Sequence, residues 1–122
     1  MEFTGDKAIY IQIKDLVMER ILLGEWLPDE KIPSVRDLGT DIEVNPNTVM
    51  RSYDLLQQSE IIYNKRGLGF FVSTNAVEII NSEKKKDFVE NELPTLFKTI
   101  DLLKMEISEL IERYEQYKLS KN

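Results

Sequence analysis

Ile32-Pro33-Ser34-Val35-Arg36-Asp37-Leu38, Val44-Asn45-Pro46-Asn47-Thr48-Val49-Met50-Arg51-Ser52-Tyr53 and Lys65-Arg66-Gly67-Leu68-Gly69-Phe70-Phe71-Val72 follow one another along a single stretch of the chain. Ser34 is a residue type that caps helix N-termini, and Asp37 stands three positions on, at the capping-box spacing. A short helix is therefore expected from Val35 to about Ile42. Asn45 can cap a second helix, and Pro46 suits its first position, where the missing N–H costs no hydrogen bond. That helix is expected over Pro46 to Ser59, with Val49, Tyr53 and Leu56 on its buried side. Ile61-Ile62-Tyr63 and Phe70-Phe71-Val72 are β-prone and flank Arg66-Gly67-Leu68-Gly69, a turn able to take positive φ, so a hairpin follows. Two capped helices and a hairpin with a basic tip follow the plan of a winged helix-turn-helix.

Upstream, Ala8 to Leu23 reads as an amphipathic helix through Ile9, Ile13, Leu16, Val17, Ile21 and Leu23. Gly24 stands where a left-handed C-terminal cap is needed, and Lys31-Ile32 can add a very short strand. Downstream of Asn75 the pattern becomes a charged helical tail. Leu93, Leu96, Ile100, Leu103, Ile107, Leu110, Tyr114 and Tyr117 are spaced alternately three and four apart, with Phe97 and Ile111 widening the stripe. Such a stripe must be buried, either against the chain's own helix at about Ala76–Glu92 or against a second subunit. The expected fold class is mainly α with a small β-hairpin. It comprises an N-terminal winged helix-turn-helix over 1–74 and a C-terminal helical dimerisation tail over 75–122.

Composition narrows the function. Without cysteine there is no disulfide, thiolate zinc site or thiol switch, and without histidine the commonest metal ligand and general base are both missing. No phosphate-binding Gly-Lys-Ser/Thr loop or nucleophile elbow is present, so neither an enzyme nor a bound cofactor or metal is expected. No apolar run approaches the ~18 residues of a membrane span, and the opening Met1–Asp6 lacks a signal-peptide layout, which makes the cytoplasm the expected compartment. The net charge of −6 argues against a nucleic-acid partner, but its distribution does not. Residues 1–43 carry five Lys/Arg against ten Asp/Glu, whereas Val44–Tyr53 contains no acid.

Small polar side chains at a helix N-terminus suit a DNA groove, and Asn47 and Thr48 supply donors and acceptors there. The plainer reading of Asn45-Pro46-Asn47-Thr48 is a good helix start. Arg36 can reach a phosphate or a guanine edge bidentately, or can simply pair with Asp37 or Asp41. Lys65 and Arg66 beside Gly67 suit a wing tip at the minor groove, or serve solubility. Tyr53, Phe70, Phe71 and Trp26 are expected in the core, and Lys84-Lys85-Lys86 on a solvated helix face.

Together, the Ile32–Leu38, Asn45–Val49 and Arg66–Val72 motifs resemble the DNA-binding domain of the GntR family, over about Ala8 to Val72. The short tail is similar to that of the YtrA subfamily. The resemblance implies a cytoplasmic bacterial repressor, dimeric through its tail, with DNA contacts at Arg36, Asn47, Thr48, Arg51, Arg66 and Gly67. Four positions depart from the family pattern. Glu43 and Glu60 stand where it favours Gly to turn the chain, so these turns are either strained or of another geometry. Met50 replaces a basic residue. At Lys104-Met105-Glu106 the subfamily has a Gly-containing break between two tail helices; two helices are expected here, with one uninterrupted helix the alternative.

The reading is a sequence-specific regulator, a repressor, that binds a pseudo-palindromic double-stranded operator as a homodimer. The DNA would meet Arg36, Asn45, Pro46, Asn47, Thr48, Arg51, Lys65, Arg66 and Gly67. Subunits would join through Leu96, Ile100, Leu103, Ile107, Leu110 and Tyr114. An unidentified small-molecule effector is allowed, although no pocket can be read from the tail. The alternative is a winged-helix protein-interaction module that does not bind DNA, favoured by the acidic balance, Met50 and Glu60.

Overall fold

The computed structural model describes residues 3–121; residues 1–2 and 122, at the outer ends of the expected domains and at the start of the expected leaderless N-terminus, lie outside the described residues. Helix α1 (Ile9–Leu22) is followed by α2 (Val35–Ile42), α3 (Pro46–Gln58) and the hairpin strands β1 (Ile62–Lys65) and β2 (Gly69–Val72). Next come α4 (Ala76–Asp87), a π-helical turn over Phe88–Glu92, α5 (Leu93–Leu103) and α6 (Ile107–Ser120). The expected class, mainly helical with one small hairpin, is what the chain adopts.

Local chemistry sets the bounds. Ser34 Oγ accepts from the Asp37 N–H at 3.1 Å, and Asn45 Oδ1 accepts from the Asn47 N–H at 2.8 Å, so both helices start at their expected caps. Helices α2 and α3 end on left-handed or turn residues. Glu43 and Glu60 keep the left-handed conformation, at φ 59° and 62°, despite carrying side chains. A non-glycine residue there costs about 1–2 kcal/mol. Backbone bonds hold them: the Val44 N–H donates to the Gly39 carbonyl at 2.8 Å, and the Ile61 N–H to the Leu56 carbonyl at 2.9 Å.

The chain divides into two compact units that meet at Glu83 and Lys84. The core of the first is built from Ile13, Val17, Met18 and Ile21 of α1, Leu38 and Ile42 of α2, and Val49, Tyr53 and Leu56 of α3. Along α1 the buried face differs from the expected stripe: Ile9 and Leu23 are exposed, and Gln12 and Met18 replace them. Gln12 tolerates burial because its amide bonds the Thr4 N–H and the Thr4 and Lys7 carbonyls.

Residues 29–32 run beside β2 as a third strand segment. The Asp29 N–H donates to the Val72 carbonyl at 2.7 Å, Val72 N–H to Glu30 at 3.0 Å, and Ile32 N–H to Phe70 at 2.9 Å. Lys31 stands opposite Phe71, which realises the expected short strand at Lys31-Ile32. Strand alternation then separates two aromatics expected to share the core. Phe70 packs inward edge-to-face on Tyr53 at 5.0 Å, whereas Phe71 lies on the outer face, stacked on Tyr63 at 5.7 Å.

The first unit extends past the boundary expected at residue 74. Ala76 and Ile80 of α4 are fully buried in its core. Glu83 Oε1 accepts from Lys14 Nζ at 3.4 Å and from Ser59 Oγ at 3.2 Å. The edge expected at residue 74 followed the change to a charged helical tail, whereas the apolar Ala76, Ile79 and Ile80 at the start of α4 pack back onto the first unit's core.

In the second unit the tail is two helices, α5 and α6, broken at Lys104 with φ 54°. The Met105 N–H reaches back to the Ile100 carbonyl at 3.1 Å, so a lysine fills the left-handed position without glycine. Of the apolar stripe, Ile100 is buried and Leu110 half-buried, while Leu96, Leu103, Ile107 and Tyr114 remain exposed.

Candidate nucleic-acid interface

Helix α3 has two opposite faces. Val49, Ser52, Tyr53 and Leu56 turn inward and are fully buried. Asn47, Arg51 and Asp54, spaced four and three apart, share the solvent side. The buried face is tied down by two hydroxyls: Ser52 Oγ donates to the Tyr10 carbonyl at 2.6 Å, and Tyr53 Oη donates to the Pro33 carbonyl at 2.6 Å. Burial pushes the Tyr53 phenol far above its ordinary range, so it stays a neutral donor.

The seat of α3 on α2 depends on Gly39. A Cβ there would stand 2.6 Å from the Val44 carbonyl oxygen and 3.5 Å from Pro46 N, so no side chain fits. The turn into α3 is thus as tight as backbone allows. Neither Gly39 nor Ser52 stands out in the sequence, because each acts through a contact made only after folding.

Asn45, Pro46, Asn47 and Thr48 form the cap and first turn of α3, the first three of them exposed and Thr48 half-buried. The positive end of the helix dipole lies there, but its N–H groups are spent on the cap: Asn47 N–H bonds the Asn45 side chain, and Thr48 and Val49 N–H bond the Asn45 carbonyl at 3.0 and 3.2 Å, so this turn offers its outward side chains. Arg51 lies one turn further on, its guanidinium 3.8 Å from the centre of the Tyr10 ring. The ring supports the planar cation and leaves its N–H edges outward. That contact, between α1 and α3, was not foreseeable from spacing.

Arg36 is exposed at the second position of α2, and among the described residues no ion pair joins it to Asp37 or Asp41. The pairing that would have neutralised it is not made. At the hairpin, Lys65, Arg66 and Gly67 are exposed, Gly67 at φ 79°, and Lys65 Nζ sits 4.9 Å over the Phe71 ring. Met50 is half-buried. All nine expected DNA residues therefore belong to the first unit, and eight of them are exposed. Among the described residues no His, Cys, Asp or Glu cluster could hold a metal ion, and no helix is long and apolar enough to cross a membrane.

A short helix, a tight turn, a second helix with a solvent-facing polar start, and a glycine-tipped hairpin define a winged helix-turn-helix regulator. The family model described as bacterial regulatory proteins, gntR family, matches residues 9–72, and the chain belongs to that family. It is 36% identical over 104 residues to the HTH-type transcriptional repressor YtrA of Bacillus subtilis, an alignment covering 85% of this chain and 79% of that protein. A crystal structure of a GntR-family transcriptional regulator from Bacteroides thetaiotaomicron superposes with a TM-score of 0.85 at 42% identity, covering 94% of this chain and all of that one, 100%. The DNA-binding domain of AraR in complex with operator ORR3 matches at a TM-score of 0.51 and 28% identity, over 60% of this chain and 92% of that one. The chain is a transcription regulator, not an enzyme.

Proposed function

We propose that this regulator is a cytoplasmic repressor that binds a pseudo-palindromic operator as a homodimer. The observation that carries this reading is the division of α3 into a fully buried face and an outward face bearing Asn47 and Arg51. In this reading the first turn of α3 meets base edges in the major groove, Arg36 and Arg51 clamp flanking phosphates or reach guanine, and Lys65, Arg66 and Gly67 address the minor groove. AraR supports it as a related domain held on an operator, and YtrA as a related repressor.

Dimerisation is proposed through the exposed stripe of α5 and α6. Leu103 of α5 and Ile107 and Tyr114 of α6 are 69%, 56% and 59% exposed, more apolar surface than two short helices keep in water unpaired. A two-fold pair would present two α3 helices to two half-sites, which makes the operator symmetric. The effector allowed by the sequence finds little support. An open groove lined by Thr4, Asp6, Gln12, Asp15 and Glu19 lacks the enclosure that a small ligand needs. Nothing in the relatives favours the protein-interaction module.

A fluorescence-anisotropy titration with the chain's own upstream DNA at two salt concentrations tests the reading. Tight, sequence-dependent binding that weakens steeply with salt is expected, since each neutralised phosphate adds about 0.9 to the slope of log affinity against log salt. Binding no stronger than to scrambled DNA, even at low salt, would sink it.

A further inference from the structure

We propose that Lys31 is a third phosphate contact of the wing, set in place by its strand segment and by the missing side chain of Gly69; this rests on the operator-binding reading above. Lys31 lies outside the hairpin in sequence, ahead of α2, and no motif marks it. Backbone bonds bring it to the wing, where it stands opposite Phe71. In antiparallel pairing, facing residues project to one side, and alternate residues along a strand share a face. The register sets Tyr63 opposite Phe71 and Lys65 opposite Gly69. Lys31, Phe71, Tyr63, Lys65 and Gly69 therefore occupy one face of the wing.

The Lys31 side chain crosses that face over Gly69. A Cβ on Gly69 would lie 3.0 Å from Lys31 Cε and 3.7 Å from Nζ, so the stem runs over the glycine and carries the ammonium to the base of the turn. Among the described residues no hydrogen bond or ion pair engages that ammonium. Neither of the two acids beside it in sequence pairs with it. Asp29 accepts from the Tyr63 and Thr74 hydroxyls, and Glu30 accepts from the Leu27 N–H at 2.7 Å. An unengaged ammonium beside Lys65 and Arg66 makes three cations on one wing of a chain with net charge −6. A hairpin at a minor groove lies between two phosphate ridges, and a compact ammonium on its flank suits a phosphate oxygen, with no reading of the bases.

The test uses the full chain, a duplex selected by the wild-type protein from a random pool, a scrambled duplex, and anisotropy titrations across a KCl series. Lys31→Gln is expected to reduce the slope of log affinity against log salt by about one, and to weaken both duplexes by a similar factor, roughly eightfold near 0.1 M salt. Lys31→Arg should retain the slope. Thermal melts of Lys31→Gln report whether the fold is intact. An unchanged slope in Lys31→Gln, or an equal loss from Lys121→Gln in the tail, overturns the proposal while wild-type binding still upholds the operator reading. Failure of the wild type to distinguish the selected duplex from the scrambled one removes both.

Discussion

Ile13, Val17, Val49, Tyr53 and Leu56 of the first unit are fully buried, whereas Leu103, Ile107 and Tyr114 of the second keep more than half of their surface in water. Both sets were picked out by the same helical periodicity. The difference lies in what surrounds them. The first unit has three helices, a hairpin and the start of α4 arriving from different directions, so every apolar stripe meets another. The tail unit has the end of α4, the π-helical turn over Phe88–Glu92 and two helices joined at Lys104, and these leave most of the stripe uncovered among the described residues. Periodicity shows that a face is to be buried, and it does not show by what.

The largest test of this contrast is Tyr53→Ala. It removes a fully buried ring and the bond to the Pro33 carbonyl, and should cost about 3–5 kcal/mol in denaturant unfolding, with a midpoint that barely depends on protein concentration. A loss under 1 kcal/mol would mean that the first unit's core does not depend on this ring. The same residue sets a sign at high pH. Its phenol is raised in the folded state, so its contribution is complete below about pH 10, the unfolded value, and fades as pH climbs through the raised folded one.

Next in size, Leu103→Ala with Ile107→Ala should weaken the proposed dimer by about 3 kcal/mol in sedimentation equilibrium and leave the first unit's unfolding unchanged. An unaltered dimer would move the subunit contact off the stripe. Arg36→Ala should then reduce operator affinity by about 1–3 kcal/mol without altering the melt, since its side chain makes no ion pair in the fold. Equal affinity in that variant would take Arg36 out of the interface. The smallest effect is expected from Glu60→Gly. Relief of a left-handed glutamate, offset by the greater chain entropy of glycine, should raise stability by up to about 1 kcal/mol. A decrease would show that the Glu60 side chain has a stabilising role in its turn.

What could be read in advance was what is local. Ser34, Asn45 and Pro46 act on N–H groups two or three residues away, and the helices they cap start where those residues place them. The Arg66–Gly69 turn is local in the same sense. The hydroxyl of Ser52, bonded to a carbonyl in α1, is not, and neither is the ring of Tyr10 beneath Arg51. The same holds for Gly39 against Val44, whose need for glycine appears only when the two backbones meet. Glu43 and Glu60 fall between these cases. Their positions were marked as turns, but only the folded chain shows that they accept left-handed strain rather than avoid it. Phe70 and Phe71 show how one residue of strand phase sends neighbours of the same chemistry to opposite faces.

The separation of the two faces of α3 bears on how such a protein can change over generations. The contacts that bury the helix, from Gly39 and the Tyr53 hydroxyl to Val49 and Leu56, lie on the side away from solvent. Asn47 takes no part in them and Arg51 adds one exposed contact on the Tyr10 ring, and substitutions at exposed positions of this kind usually alter stability by less than about 0.5 kcal/mol. A lineage could therefore rewrite the outward residues and adopt a new target without passing through an unfolded intermediate. The scaffold is inherited, and the address it carries is free to drift.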